Sequence, residues 1–133
     1  IGGGSNRLFK VESGGELVVK SLNLTGGRVD ETSDNGGAVH VGAATFSAAA
    51  TVFSDHRARR GGAIYGKDQA NITLNHVQVQ YCFATYAAGG VEVWSGTHLT
   101  VVNSVIHHNN AGGQNSAVRS WRYSTNTKIS RQI

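Results

Sequence analysis

The chain is poor in the residues that define several large classes of protein. A single cysteine, Cys82, stands among 133 residues, which excludes an internal disulfide framework. We expect it to pack as a small, buried apolar residue. Proline and methionine are absent. No signal peptide is present, and no apolar run approaches the roughly 18 residues of a membrane-spanning helix, so no membrane span is predicted in this segment.

Charge is sparse and mostly basic, with 12 Lys and Arg against 8 Asp and Glu. Basic residues cluster at Arg57, Arg59 and Arg60 and again from Arg119 onward, where they suit contact with an acidic polysaccharide or an acidic neighbour. The alternative, which we favour, is a solvated turn and a loose tail. Neither a helix-based motif nor an aromatic stacking platform accompanies these charges, so nucleic acid is not an expected partner.

Glycine, in contrast, is abundant, and its pairs recur at nearly even spacing. The intervals between the pairs are 25, 28 and 23 residues, and a period in this range is typical of a solenoid. We expect each pair to form a coil corner that needs a positive φ angle or close backbone approach. The pairs are Gly36-Gly37, Gly61-Gly62, Gly89-Gly90 and Gly112-Gly113.

Four segments between the glycine pairs align without gaps, at residues 17–29, 46–58, 72–84 and 99–111. Apolar residues at the first, third, sixth and eighth positions predict two short strands separated by a bend and argue against a helix. The Ala-Val or Ala-Ile stretch after a glycine pair supplies another strand. Three strands and three turns per coil are the unit of a parallel β-helix, and the usual handedness of parallel crossovers favours a right-handed coil.

The predicted fold is therefore all-β, a right-handed parallel β-helix of about five coils of 23–29 residues. Residues 1–133 form one β-solenoid segment, with a partial leading coil at 1–16, regular coils at 17–111 and a degraded terminal coil at 112–133. Neither end resembles the polar cap that a solenoid needs, and the chain begins at Ile1. We expect a piece of a longer protein, or one flanked by other subunits.

The candidate catalytic and metal-binding groups are scattered. The six histidines occupy different alignment columns, and His107 and His108, as neighbours on a strand, are expected to point to opposite faces. A zinc site needs three or four converging ligands, so we predict no metal and no cofactor. Ser54, Asp55 and His56 are adjacent, but a hydrolytic triad is assembled by geometry and not by adjacency. The acids of residues 30–35 lack the spacing of a calcium loop. We predict no catalytic residues.

Three polar patterns suit other roles. Asn23 and Asn71 begin glycosylation acceptor patterns and are expected to face outward. Asn109 is expected to bond the backbone at a coil corner, beside a packing column of Ala58, Ala84 and Ala111. The hydroxyl column is one residue wide and is the feature on which ice binding would depend. It consists of Ser47, Thr73 and Thr100.

The repeat resembles those of polymorphic outer-membrane proteins and related pectin-lyase-like right-handed β-helix proteins. The resemblance rests on Gly36–Val39, Gly61–Ile64 and the element Ile106–Asn109, and it covers about residues 17–118. The chain departs from the family at His56, where the family has Asn, and at Val79–Cys82. The family implies a surface-exposed or secreted passenger, adhesive or structural. Relatives that cleave acidic polysaccharides use clustered aspartates and calcium, and the eight acids here do not stack on one strand face.

The expected function is a non-catalytic structural or adhesive β-helix module of a larger secreted or cell-surface protein or assembly. Its partners would be other protein subunits or flanking coils of the same protein, with an acidic polysaccharide as a further partner. The alternative is a carbohydrate-binding or polysaccharide-degrading β-helix, and ice binding is a distant third. Candidate glycan or partner contacts are Arg57, Arg59, Arg60, Trp94, Trp121 and Tyr123.

Overall fold

The structure is a computed structural model that describes residues 6–30, 34–94, 96–113, 118–120 and 125–129. Within these ranges it contains 17 short strands and no helix, so no helix of the described part is long and apolar enough to cross a membrane. The strands are β1 (Phe9–Glu12), β2 (Glu16–Lys20), β3 (Asn23–Thr25), β4 (Val39–Gly42), β5 (Thr45–Ala49), β6 (Val52–Ser54), β7 (Arg57–Arg60), β8 (Ile64–Lys67), β9 (Asn71–Asn75), β10 (Gln78–Gln80), β11 (Phe83–Ala87), β12 (Val91–Val93), β13 (His98–Val102), β14 (Val105–His107), β15 (Asn110–Ala111), β16 (Val118–Ser120) and β17 (Thr125–Ile129).

The strands stack into four parallel sheets that run the length of the coil. Sheet A is β1-β4-β8-β12-β16, sheet B is β2-β5-β9-β13-β17, sheet C is β3-β6-β10-β14, and sheet D is β7-β11-β15. Each strand pairs with its equivalent one coil away, so the five strands of sheet A mark about four turns. Successive coils measured in sheet B are 29, 26 and 27 residues long. The predicted right-handed parallel β-helix is confirmed.

The three coils that begin at β4, β8 and β12 have four strands each, where the sequence predicts three. The additional sheet D lies just before the glycine pairs, in the segment that the alignment assigns to a turn. Its inward positions are Ala58, Ala84 and Ala111, which pair in register and are buried. Because alanine is the small inward residue and arginines and aromatics face outward, this strand lacks the alternation of large apolar side chains that marks the other sheets.

The core lies between the four sheets and consists of the aligned apolar columns. Residues at the first position of the aligned segments form a column in sheet B, which begins at the half-buried Leu17 and is fully buried in the later coils. Residues at the eighth position form a second column in sheet C. Like residues therefore stack on like residues, as the alignment predicts. The fully buried members are Phe46, Ile72 and Leu99 in sheet B and Leu24, Phe53, Val79 and Ile106 in sheet C.

Residues with a positive φ angle form each corner of the coil. Between sheets B and C they are Ser21, Ala50, His76 and Asn103, with φ from 49° to 54°. Between sheets C and D they are Gly26, Asp55, Tyr81 and His108. A left-handed conformation costs a non-glycine residue about 1 kcal/mol or more. Backbone hydrogen bonds between coils offset this cost, as where the amide of Ala50 donates to the carbonyl of Asn75 at 3.1 Å.

The corners between sheets D and A favour glycine for two reasons, which are a positive φ angle at the first position and close backbone approach at the second. Gly36 and Gly61 have φ angles of 73° and 55°. The glycine after each of them meets the backbone of the next coil, because a Cβ on Gly37 would lie 2.4 Å from the carbonyl oxygen of Gly62. A Cβ on Gly62 would likewise lie 2.2 Å from that of Gly89. No side chain fits at either of these second positions.

The strand pairing shows that the last two glycine pairs do not occupy the same position in the coil as the first two. Strand β11 carries Thr85 and Tyr86 where β7 carries only Arg59, so a β-bulge shifts the following corner by one residue. Ala88, with φ of 49°, takes the position of Gly61, and Gly89 takes that of Gly62.

The pair Gly112-Gly113 does not lie at the corner between sheets D and A. Because Ala111 pairs with Ala84, the two glycines follow directly along sheet D. A Cβ on Gly112 would meet the carbonyl oxygen of Thr85 at 2.8 Å.

Two side chains bond the backbone of the preceding coil in the same way. His56 Nδ1 accepts from the Gly27 amide at 2.9 Å, and its Nε2 donates to the Leu24 carbonyl at 3.0 Å. Asn109 Oδ1 accepts from the Cys82 amide at 2.9 Å, and its Nδ2 donates to the Val79 carbonyl at 2.9 Å, which confirms the predicted corner. His56 thus offers the same kind of acceptor and donor as Asn109, and its ring is turned into the coil, away from solvent.

The stability of the fold is expected to decrease in mild acid because of His56. Burial lowers the pKa of this ring to about 4, below its ordinary value of about 6.5. The unfolded chain therefore binds the proton first as the pH falls, so the free energy of unfolding drops by about 1.4 kcal/mol per pH unit between about pH 6.5 and 4.

Urea unfolding of the wild type and of His56→Asn at several pH values measures this dependence. Asn keeps an acceptor and a donor but does not titrate. The fall in the free energy of unfolding between about pH 6.5 and 4 should therefore be about 3 kcal/mol smaller in the variant than in the wild type. An unchanged pH slope in the variant would contradict the assignment.

Gly62→Ala is expected to destabilise the stack by about 2 kcal/mol or more, since the new methyl group would overlap a carbonyl of the next coil. The matched control is Gly42→Ala, where the nearest atoms to a Cβ are side-chain atoms at 3.7 Å. Thermal unfolding of both variants measures the difference. Equal melting temperatures would mean that Gly62 is not sterically restricted.

Candidate functional site

A cluster of charged and aromatic side chains lies outside the corner between sheets D and A. We call Arg60, Tyr86, Glu92 and Trp94 the Arg60 cluster. Arg60 Nη1 forms an ion pair with Glu92 Oε1 at 2.8 Å, and Trp94 Nε1 donates to the same oxygen at 2.9 Å. The Arg60 guanidinium lies 4.3 Å from the Tyr86 ring centroid and 4.9 Å from that of Trp94. Both distances are within the range of cation–π attraction.

The ion pair is buried although Glu92 faces away from the core. Val91 and Val93 point inward and are fully buried, so alternation along β12 turns Glu92 outward. Nevertheless the Glu92 side chain is 0% exposed and that of Arg60 is 10% exposed. A buried carboxylate is tolerated only where a cation and hydrogen bonds compensate for its lost hydration. Arg60 supplies the cation and Trp94 a further hydrogen bond, both at Oε1.

The outward column of sheet A continues from Glu92 along the rod through two further buried side chains, Tyr65 and His40. Tyr65 pairs with Glu92 in the register, and His40 pairs with Tyr65, with ring centroids 5.3 Å apart. Burial, assisted by the Glu92 charge, raises the pKa of Tyr65 to about 12. Burial and the neighbouring Arg7 lower the pKa of His40. Both side chains are therefore neutral at physiological pH.

The structure brings three of the six predicted contact residues together. Arg60 and Trp94 belong to the cluster, and the Arg59 guanidinium lies 5.2 Å from the same Tyr86 ring. Arg57 lies at the other end of β7, over the Phe83 ring at 4.6 Å. Trp121 and Tyr123 lie outside the described residues.

Sequence reasoning missed Tyr86, Glu92 and Tyr65. Glu92 could have been found, because an acid between two valines of a core strand must face outward. The alignment column that contains Tyr65 then places an aromatic ring directly beside it. Tyr86 could not be found in this way, because it lies in the bulge of β11, which the alignment treats as a turn.

The prediction that His107 and His108 point to opposite faces is wrong. His107 Nδ1 and His108 Nδ1 are 2.6 Å apart on the surface. The reason is that β14 ends at His107 and His108 occupies the corner between sheets C and D with φ of 53°. Strand alternation therefore stops one residue earlier than expected.

The other predicted residues lie apart from the cluster. Cys82 is buried, as expected, and its burial raises the thiol pKa to about 12. Asn23 and Asn71 are exposed at the starts of β3 and β9. The hydroxyl column of sheet B is in register but half-buried. Within the described ranges, no group of three or more His, Cys, Asp or Glu could hold a metal ion.

Comparison of the chain with protein-family models, with curated proteins and with solved structures found no match. The parallel β-helix therefore follows from the strand pairing itself. The likeness to outer-membrane-protein and pectin-lyase-like repeats remains a resemblance of motifs.

Arg60→Met is expected to lower the free energy of unfolding by about 3–5 kcal/mol, because it leaves the Glu92 carboxylate buried without its cation. Arg59→Met is the matched control. It removes a neighbouring arginine over the same ring and should cost about 1 kcal/mol or less.

Urea titrations followed by tryptophan fluorescence provide the measurement. The double variant Arg60→Met with Glu92→Gln should recover much of the loss, since no buried charge then remains. An Arg60→Met variant no less stable than Arg59→Met would show that the ion pair does not stabilise the fold.

Proposed function

We propose that this β-helix is a non-catalytic adhesive and structural module of a larger secreted or cell-surface assembly, and that it contacts its partner through the rim of the Arg60 cluster. The observation that carries the proposal is the ion pair of Arg60 with Glu92 between two aromatic rings. It holds Tyr86 and Trp94 in place at the surface of a rigid stack.

The arrangement suits binding better than turnover. The Glu92 side chain is 0% exposed, whereas a general acid or base has to lie within hydrogen-bond reach of the substrate. The aromatic rings are differently placed, since Tyr86 is 39% exposed and Trp94 is half-buried. Aromatic side chains that are rigid and partly exposed are typical of contact surfaces.

The chemistry around the rim favours an acidic polysaccharide as the partner. Arg59 lies beside Tyr86, and Arg57 is exposed farther along the same strand. The chain as a whole carries a formal net charge of +4, which would attract a polyanion over distances of about 10 Å at ordinary ionic strength. Sugar rings can stack on Tyr86 while their carboxylates face the guanidinium groups.

The ends of the stack support a role within a larger assembly. Among the described residues, β1, β2 and β3 are each the last strand of their sheet and pair on one side only. Strand edges of this kind present unpaired backbone groups that can pair with further strands. Flanking coils of the same protein or neighbouring subunits would supply them.

The experiment is a binding assay of the full chain against acidic and neutral polysaccharides, with reducing ends and unsaturated products followed in the same wells. We expect saturable binding of the acidic polymers without product. Tyr86→Ala should weaken it by about tenfold or more. The matched control is Tyr81→Ala, which removes an exposed tyrosine outside the cluster.

Each other outcome is decisive. Product formation would replace the adhesive function with a polysaccharide-degrading one. Binding that Tyr81→Ala weakens as much as Tyr86→Ala would move the contact away from the Arg60 cluster. An absence of saturable binding would refute the polysaccharide as partner.

A further inference from the structure

A second surface site lies at the corner between sheets C and D, away from the Arg60 cluster. His107 is half-buried and His108 is exposed. Their Nδ1 atoms are 2.6 Å apart, and their ring planes are inclined by 77°. The Tyr81 ring lies alongside, with centroids 6.2 Å from His107 and 5.4 Å from His108. Two imidazole nitrogens thus face each other on the surface.

A hydrogen-bond chain sets the protonation of the pair. The Gln78 amide nitrogen donates to Gln80 Oε1 at 2.7 Å and to His107 Nε2 at 2.9 Å. His107 therefore carries its proton on Nδ1 and donates it to His108 Nδ1. A cation that binds both Nδ1 atoms takes the place of this shared proton. The proton of His107 moves to Nε2, where a rotated Gln78 amide can accept it through Oε1, as metal-bound imidazoles require.

We propose that His107 and His108 form a surface binding site for Cu²⁺, with water completing the coordination. Metal–imidazole bonds are about 2.0–2.1 Å long. Nitrogens 2.6 Å apart then subtend about 80° at the metal, and a separation of about 2.9 Å gives 90°. Tetrahedral zinc would need about 3.3 Å. Replacing the proton by a cation with ligands at right angles therefore needs only a small opening of the pair. Cu²⁺ prefers this tetragonal geometry and also binds imidazole most tightly among the divalent first-row metals.

The site exists because of the corner. With extended backbone at His108, the two rings would project from opposite sides of the strand. The positive φ angle brings them to the same side. His76 offers a matched comparison, because it is also an exposed corner histidine with φ of 54° but has no neighbouring histidine in the sequence.

Titration of the full chain with copper sulfate, followed by calorimetry and by electron paramagnetic resonance, tests the proposal. We expect one tight Cu²⁺ per chain with nitrogen hyperfine structure. His107→Gln and His108→Gln should each weaken the affinity by about tenfold or more, while His76→Gln leaves it unchanged.

A second measurement needs no substitution. With substoichiometric Cu²⁺, the imidazole resonances of His107 and His108 should broaden in nitrogen-15 spectra before those of His76. Uniform broadening of all histidines, or a His108→Gln variant that binds as tightly as the wild type, would overturn the proposal.

Discussion

Exact stacking of one coil on the next is the constraint on which the rest of this structure depends. Backbone groups at the corners bond the equivalent corner of the next coil, as Ser21 bonds Ala49 at 3.0 Å. This alignment forces Ala50, Asp55 and His108 into left-handed conformations that such residues rarely adopt alone. The core columns add their apolar burial only while that register holds. Corner geometry and core packing are therefore one cooperative unit, as expected for a solenoid.

Both surface sites derive their chemistry from the same constraint. Arg60 reaches Glu92 because β7 and β12 lie at fixed positions around the D–A corner, in neighbouring coils. His107 meets His108 because a strand ends and a corner begins between them. In one site opposite charges neutralise each other beneath aromatic rings, whereas in the other two imidazole rings share a hydrogen bond at the surface. The first arrangement suits an extended partner, and the second suits a small cation.

The sequence predicted the fold far better than it predicted the sites. Residues such as Ile72 and Val79 repeat at strand spacing in every coil, so the core columns and the parallel pairing could be deduced. Sheet D could not, because Ala58 and Ala84 contribute too little apolar contrast to distinguish a strand from a turn. Tyr86 was hidden by the bulge, and the His107–His108 pair by a φ angle that no periodicity reveals. Each miss lies where local backbone geometry departs from the repeat.

Extra residues occur repeatedly on the flank of the coil that carries sheet D. Arg28 pairs with Arg57 and Asn35 pairs with Arg60, so the first coil has more residues between these two bridges than the second coil has. In a later coil, β11 has its bulge at Thr85 and Tyr86. Both insertions lie on sheet D, next to the Arg60 cluster, whereas the described pairings of sheet C show no register shift. Evolution, or an engineer, can therefore lengthen this flank of the β-helix and change its recognition surface while sheet C stays in register.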